Sequence, residues 1–279
     1  MNKQELIEYI RHKKSFLCIS LDADVRKLPT ILLNEEDPIF SFNKRIIDST
    51  SDYVIAYKFN TIYYQNIGAF GIKAMEKTIS YLRENYPDIF VIADAKCTEV
   101  GENAEIYVRN FFDHLKVDAL TILPYLGSDI FKSMLTYPDK WSVVLALTSN
   151  DSSKDFQLLR DEQGEYLFER FIRMGKMYSS ELPIMFSVST PNRQIYERLR
   201  LSIPDDFMFV NYNFKTMPDL KDICSSVVNE NCCTIVSFSK DLIYCDDSEG
   251  FDVKVARMVM DLREKMFDVL LNKRIISEQ

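Results

Sequence analysis

The side chains most able to do chemistry recur in pairs spaced by two residues. Asp22 and Asp24, Lys58 and Asn60, and Asp94 and Lys96 each sit where a short apolar run ends. In an extended strand, residues two apart share a face, so each pair would present both polar groups on one side. Further along come Pro124-Tyr125, Thr148-Ser149-Asn150, Ser189-Thr190, Asn211-Tyr212-Asn213 and Ser239-Lys240. Two lysines and at least two carboxylates gathered in one place would pair with one another, because isolated buried charges are costly. Charges gathered in this way at the mouth of a fold point toward chemistry. A structural ion network is the plainer reading of the same residues.

The elements that must position these groups follow from the hydrophobic pattern. Short apolar, β-branched runs occur at 16–21, 53–57, 90–93, 119–123, 141–147, 184–188, 207–210 and 234–238. Between them lie helix-like patterns at 38–49, 67–84, 103–115, 129–135, 165–180, 193–201 and 217–228, with a last one at 251–273. Strand and helix alternate without a Pro/Gly/Ser-rich linker, which means parallel strands joined by helical crossovers. Eight such units predict an α/β fold of the (β/α)8 TIM-barrel type, with its site at the carboxyl ends of the strands. An open, doubly wound sheet is the rival, but the turn after the first run reads LDADVRK and lacks the glycines that fold would use. The whole chain, 1–279, reads as one domain with an N-terminal helix at about 2–14 and a C-terminal helix at about 251–273.

Composition narrows the function classes. The 279 residues carry a net charge of −8, which argues against a nucleic-acid footprint or a polybasic membrane surface. Only His12 and His114 are available, so a His-rich metal site and most Ser-His-Asp or Cys-His schemes are disfavoured, and no metal is expected. None of the six cysteines forms a C-x-x-C pair, and Cys97 reads as a packed thiol. The opening MNKQELIEYIRHKK is an amphipathic helix pattern rather than a signal peptide. No apolar run approaches the ~18 residues of a membrane span. A cytoplasmic protein with reduced thiols is the expectation. Trp141 and most of the Phe and Tyr residues are expected in the core, His114 near the surface, and Asp246 to Glu249 in a solvated loop. Glycine is scarce, and none of the seven falls between 175 and 250.

The strand-end sequences LDAD (21–24), YKFN (57–60), IADAK (92–96), PYLG (124–127) and LTSN (147–150), with Gln157, resemble orotidine 5′-phosphate decarboxylase, and in particular the subgroup with a TSN motif. The likeness runs in order from Phe16 to Tyr244. It implies a Lys-Asp-Lys-Asp array that works without metal or organic cofactor. By motif, Lys58, Asp94 and Lys96 match its first three members, and Glu99 stands where the family has an aspartate that crosses a dimer interface. The resemblance thus implies a homodimer in which Glu99 reaches the neighbouring site. Asp22 matches the ribose-binding aspartate, and Ser149 falls in the motif that contacts the pyrimidine. Asn60, Val100, Asn103, Thr148, Asn150, Gln157, Thr216 and Lys240 complete the implied set for binding a nucleotide monophosphate.

Four departures accompany the likeness. Glu99 is one methylene longer than aspartate, and a misplacement of about an ångström can cost ~10²-fold. The family's glycine-rich phosphate loop, like P-G-x-G-x-Q-G-G, reads Asn211-Tyr212-Asn213-Phe214-Lys215-Thr216-Met217-Pro218, with Thr216 in place of the glutamine. Lys240 replaces the arginine of an N-x-S-R pattern, and the segment after TSN (151–154) has no glycine. Losing two or three charge-assisted phosphate contacts implies roughly 10³-fold weaker phosphate binding. Two other readings stand beside the decarboxylase: a non-catalytic relative that binds a nucleotide or a protein partner, and a lyase or aldolase using Lys58 or Lys96 as a Schiff base.

Overall fold

The computed structural model describes residues 1–277. Among them, eight parallel strands close into a barrel in sequence order. These are β1 (Leu17–Ser20), β2 (Ala56–Asn60), β3 (Phe90–Cys97), β4 (Ala119–Ile122), β5 (Trp141–Leu147), β6 (Ile184–Val188), β7 (Phe207–Asn211) and β8 (Thr234–Phe238). Nearly every strand residue is buried, as parallel strands under a helical layer must be. The helices are α1 (Lys3–Lys13), α2 (Pro38–Thr50), α3 (Thr61–Gln65), α4 (Ala69–Asn85), α5 (Gly101–Arg109), α6 (Asp129–Met134), α7 (Leu167–Lys176), α8 (Arg193–Ser202), α9 (Leu220–Val227), α10 (Lys240–Ile243) and α11 (Phe251–Asn272). The expected (β/α)8 barrel is therefore the observed fold. No described helix is long and apolar enough to cross a membrane.

The N-terminal helix starts with a capping box, Asn2 accepting from the Glu5 amide while the Glu5 carboxylate accepts from the Asn2 amide. Its Leu6, Ile7 and Ile10 are buried, and the Trp141 indole donates to the Met1 carbonyl at 2.8 Å. At the other end of the chain α11 packs along α2 and α9. Trp141 is core, as expected, packed edge-on against Phe90 and Phe207.

Several boundaries differ from the pattern-based ones, and the differences bear on the site. The second strand is Ala56–Asn60 rather than 53–57, and the third continues past Ala93 to Cys97. Lys58, Asn60 and Asp94 thus lie paired within their strands, and Lys96 follows in a stretch of β3 that has left the ladder. Polar residues inside a strand end are invisible to a search for apolar runs. The third strand carries an irregularity: Ala93 pairs with Leu120 and Cys97 with Ile122, so 94–96 bulge opposite Thr121 alone. The short helices α3 and α10 were not expected, and the 103–115 pattern resolves into α5 followed by a π-helical turn at Asn110–His114. The expected 165–180 and 217–228 helices shorten to α7 and α9, the latter because Asp219, just after Pro218, caps it through the Lys221 amide. Gly71 lets α4 fold back on α3, since a Cβ there would sit 2.1 Å from the Tyr64 carbonyl oxygen.

Candidate active site

Strands β2 and β3 run side by side with Asn60 opposite Asp94. This register carries Lys58 and Asp94 to the same rim of the barrel, where Lys58 Nζ donates to Asp94 Oδ2 at 2.9 Å. Lys96 Nζ donates to the other carboxylate oxygen, Oδ1, at 2.8 Å. Lys58 and Asp94 are buried, at 4% and 8% exposure, while the Lys96 side chain is 46% exposed and faces the mouth. One carboxylate therefore bridges a buried ammonium and an accessible one.

The electrostatics follow from that geometry. Burial works against the Lys58 ammonium, but the Asp94 and Asp22 carboxylates outweigh it and hold its pKa above the ordinary lysine value. Burial likewise opposes the Asp94 carboxylate, and Lys58 and Lys96 together hold it well below the usual carboxylate range. Both charges are thus maintained across the neutral range. A protonated Lys58 is a poor amine nucleophile, which removes the support for a Schiff base at that position.

Lys96 itself sits in the left-handed region at φ 50°, a conformation that disfavours a side-chain-bearing residue by roughly 1–2 kcal/mol. Its amide donates to the Thr121 hydroxyl at 2.8 Å, and that hydroxyl donates to Asp94 Oδ1 at 3.0 Å. Thr121 was not among the residues the sequence singled out. Its only sequence signal is a lone polar residue in an apolar strand.

Asp22, two residues beyond the end of β1, is 4% exposed and already engaged. Ser20 Oγ donates to one carboxylate oxygen at 2.8 Å and Ser239 Oγ donates to the other. Tyr244 ties this corner down, donating to the Asp22 carbonyl at 2.9 Å and accepting from the Asp24 amide at 2.7 Å. Asp24 turns away to a bidentate pair with Arg26. Ser20 and Tyr244 carry this support, and neither was predicted from the sequence.

At the fifth strand end the TSN residues bond among themselves. The Thr148 amide donates to Gln157 Oε1 at 2.8 Å, Gln157 Nε2 donates back to Thr148 Oγ1 at 2.8 Å, and Thr148 Oγ1 donates to Asn150 Oδ1 at 2.6 Å. Gln157 thereby pins the segment across 148–157, leaving Ser149 exposed at the rim. Asn60 is half-buried beside Asp94.

Other expected site residues stand apart from this cluster. Glu99 is half-buried and lines a cavity of ≈ 440 Å³ with Gln65, Asn103 and residues of α5 and the following turn. No hydrogen bond or ion pair within the described residues joins it to Lys58, Asp94 or Lys96. Val100, 46% exposed, precedes α5. Cys97, the last residue of β3, is a packed thiol, its pKa pushed up to about 12 by burial and, to a lesser degree, by Glu99. Thr216 is exposed on the loop after β7.

That loop is organised by apolar contacts. Tyr212, Phe214 and Phe238 form a three-ring cluster with centroids 5.3–5.4 Å apart. Lys215 pairs with Asp241 at 3.4 Å. Lys240 opens α10 with its ammonium 4.9 Å from the Tyr63 ring centroid, and a hydrogen bond with Tyr63 leads the influences that raise its pKa. Among the described residues no group of three or more His, Cys, Asp or Glu side chains is arranged to hold a metal ion.

Comparison with known proteins points to one family. The sequence profile of the Orotidine 5′-phosphate decarboxylase / HUMPS family matches residues 15–182, from just before β1 to just short of β6. The orotidine 5′-phosphate decarboxylase of Porphyromonas gingivalis is 44% identical over 276 residues, covering 99% of this chain and 100% of the relative. That of Parabacteroides distasonis is 43% identical over 276 residues, covering 99% of each. Among solved structures, the OMP decarboxylase of Leishmania donovani superposes with a TM-score of 0.75 at 26% identity, covering 95% of this chain and 99% of that one. The orotidine 5′-monophosphate decarboxylase of Plasmodium berghei gives 0.77 at 20% identity, covering 95% and 98%, a likeness of fold. By its profile match and its end-to-end relatives, the chain belongs to the orotidine 5′-phosphate decarboxylase / HUMPS family.

Proposed function

We propose that this protein decarboxylates orotidine 5′-phosphate to UMP in pyrimidine synthesis, without metal or organic cofactor. The observation that carries the reading is the bridged array at the barrel rim: Lys58 and Lys96 ammoniums 2.9 and 2.8 Å from the two oxygens of one buried Asp94 carboxylate. In the proposed step the bond between C6 of the pyrimidine and its carboxylate breaks, CO₂ departs, and the electron pair stays on C6. Lys96, the accessible ammonium, stabilises that charge and transfers a proton to C6, to be reprotonated from solvent. Asp94 and Lys58 hold Lys96 in place, and Asp22 accepts from the ribose hydroxyls once Ser239 yields. Ser149, with Thr148, Asn150 and Gln157 behind it, faces the pyrimidine.

The finer assignment is a TSN-type member acting as a homodimer in the cytoplasm, a single domain in which Glu99 of one copy reaches the site of the other. Exposed apolar residues beside Glu99 favour a covered face: Val100, next in the chain, and Ile106 on α5, which lines the same cavity. The phosphate end of the ligand is held weakly. Supporting this, Tyr212 and Phe214 of the loop after β7 pack on Phe238 of β8, and the loop holds no glycine to let its amides approach a phosphate closely. The same observation favours a second reading, a non-catalytic relative that binds a nucleotide or a protein partner. Loss of orotate absorbance on incubation with orotidine 5′-phosphate, and rescue of a uracil auxotroph, are expected of the enzyme. Absence of both, alongside measurable UMP binding, would favour the non-catalytic relative.

A further inference from the structure

The bulge in β3 makes an unusual demand on its neighbour. Residues 94–96 stand opposite a single residue of β4, Thr121, while on its far side Thr121 remains in regular register with Val143 of β5. Thr121 is thus an anchored point facing a displaced stretch of chain. It is 3% exposed, and its hydroxyl is used twice: it accepts from the Lys96 amide at 2.8 Å and donates to Asp94 Oδ1 at 3.0 Å. Lys96 Nζ returns to that same oxygen at 2.8 Å. The result is a closed ring, Lys96 amide to Thr121 hydroxyl to Asp94 carboxylate to Lys96 ammonium, in which both ends of Lys96 are tied.

We propose that Thr121 is a positioning residue for the Asp94–Lys96 pair, holding the left-handed backbone of Lys96 and the orientation of the Asp94 carboxylate through one hydroxyl group. Only a hydroxyl of this reach serves both ends. It offers one donor and an acceptor lone pair on the same atom, whereas valine of the same shape offers neither. Without it the Lys96 amide, displaced from the ladder by the bulge, loses its partner, and the left-handed backbone loses the contact that over-determines it. The ammonium end of Lys96 would then sample positions away from the reacting carbon. This deepens the decarboxylase reading and rests on it for its kinetic consequence, while the backbone consequence stands independently.

Two full-length variants test it, Thr121→Val and Thr121→Ser, read by amide hydrogen exchange across 94–97 and by kcat and KM for orotidine 5′-phosphate. Thr121→Val is expected to speed exchange at the Lys96 amide by at least ~10-fold and to lower kcat by about 10–100-fold with KM within ~3-fold. Thr121→Ser is expected to stay within ~3-fold of the parent in all three. Should Thr121→Val fail to fold, Thr121→Cys, a weak donor of similar size, carries the same expectation for exchange and kcat. Unchanged Lys96 exchange in the folded variant, or a serine variant as impaired as valine, would overturn the assignment. If the parent chain itself does not turn over orotidine 5′-phosphate, the decarboxylase reading fails, and the exchange arm still decides the role of Thr121.

Discussion

Asp94→Asn removes one charge from a buried arrangement and leaves the partner stranded. The Lys58 side chain is only 5% exposed, and its ammonium lies 2.9 Å from the carboxylate it would lose. At an effective dielectric of about 20, two unit charges at that separation attract by roughly 6 kcal/mol. Asparagine keeps an acceptor for the hydrogen bond, and Asp22 remains as a second carboxylate acting on Lys58, so the loss is smaller than the gross term. Measured breaks of buried pairs suggest about 3–5 kcal/mol. For a chain of this size that corresponds to a fall in Tm on the order of 10 °C. The Lys96 side chain, 46% exposed, is hydrated whichever residue stands at 94 and adds little.

The pH dependence makes the cause specific. In the parent protein, Asp94 is depressed, so its contribution is complete above the ordinary carboxylate pKa of about 4 and is lost as pH falls further. Lys58 is raised, so its contribution is complete below about 10.4 and is lost as pH climbs through its folded value. Between these limits the pair contributes a constant amount. In Asp94→Asn the buried ammonium has lost its main partner, its pKa falls, and the deficit shrinks as pH rises from about 6 to 9. Urea unfolding of both proteins across that range measures it. The double variant Lys58→Met/Asp94→Leu should recover at least half the loss, because two apolar groups replace two charges. An Asp94→Asn protein as stable as the parent at pH 7, or a deficit that does not move with pH, would refute the reasoning.

Three further outcomes are expected. Lys96→Ala should lower kcat by about 10⁴-fold, combining a lost general acid with lost charge stabilisation, while unfolding costs about 1–2 kcal/mol less because buried Asp94 keeps only Lys58 as a cationic partner. Orotate absorbance and urea melts check the two halves. Glu99→Asp should raise kcat/KM by about 10-fold or more if the extra methylene displaces the carboxylate, measured by steady-state turnover. Leu6→Ala, at a fully buried position on α1, should destabilise by about 2–5 kcal/mol without altering kcat, as read by thermal unfolding and turnover together.

The barrel was legible because it is written in short-range physics. Eight apolar runs alternating with helical periodicity leave few ways to bury both faces of a parallel sheet, and the observed closed order matches. The pair Lys58/Asn60 was legible for the same reason, since alternation along a strand assigns both to a face before any contact is known, whereas the bulge at 94–96 breaks that alternation between Asp94 and Lys96. The family likeness rested on those strand ends as well.

What the linear pattern left open depends on register and on atoms distant along the chain. Nothing local announces that β3 bulges across from Thr121, that Lys96 takes a left-handed backbone, or that its amide is held by a side chain 25 residues away. The same holds for Tyr244, whose hydroxyl reaches Asp22 and Asp24 across more than 200 residues once β8 closes against β1. Charge at a strand end is a property of composition. Which oxygen each ammonium meets is set by how neighbouring strands slide past one another, and packing settles that only when the barrel closes.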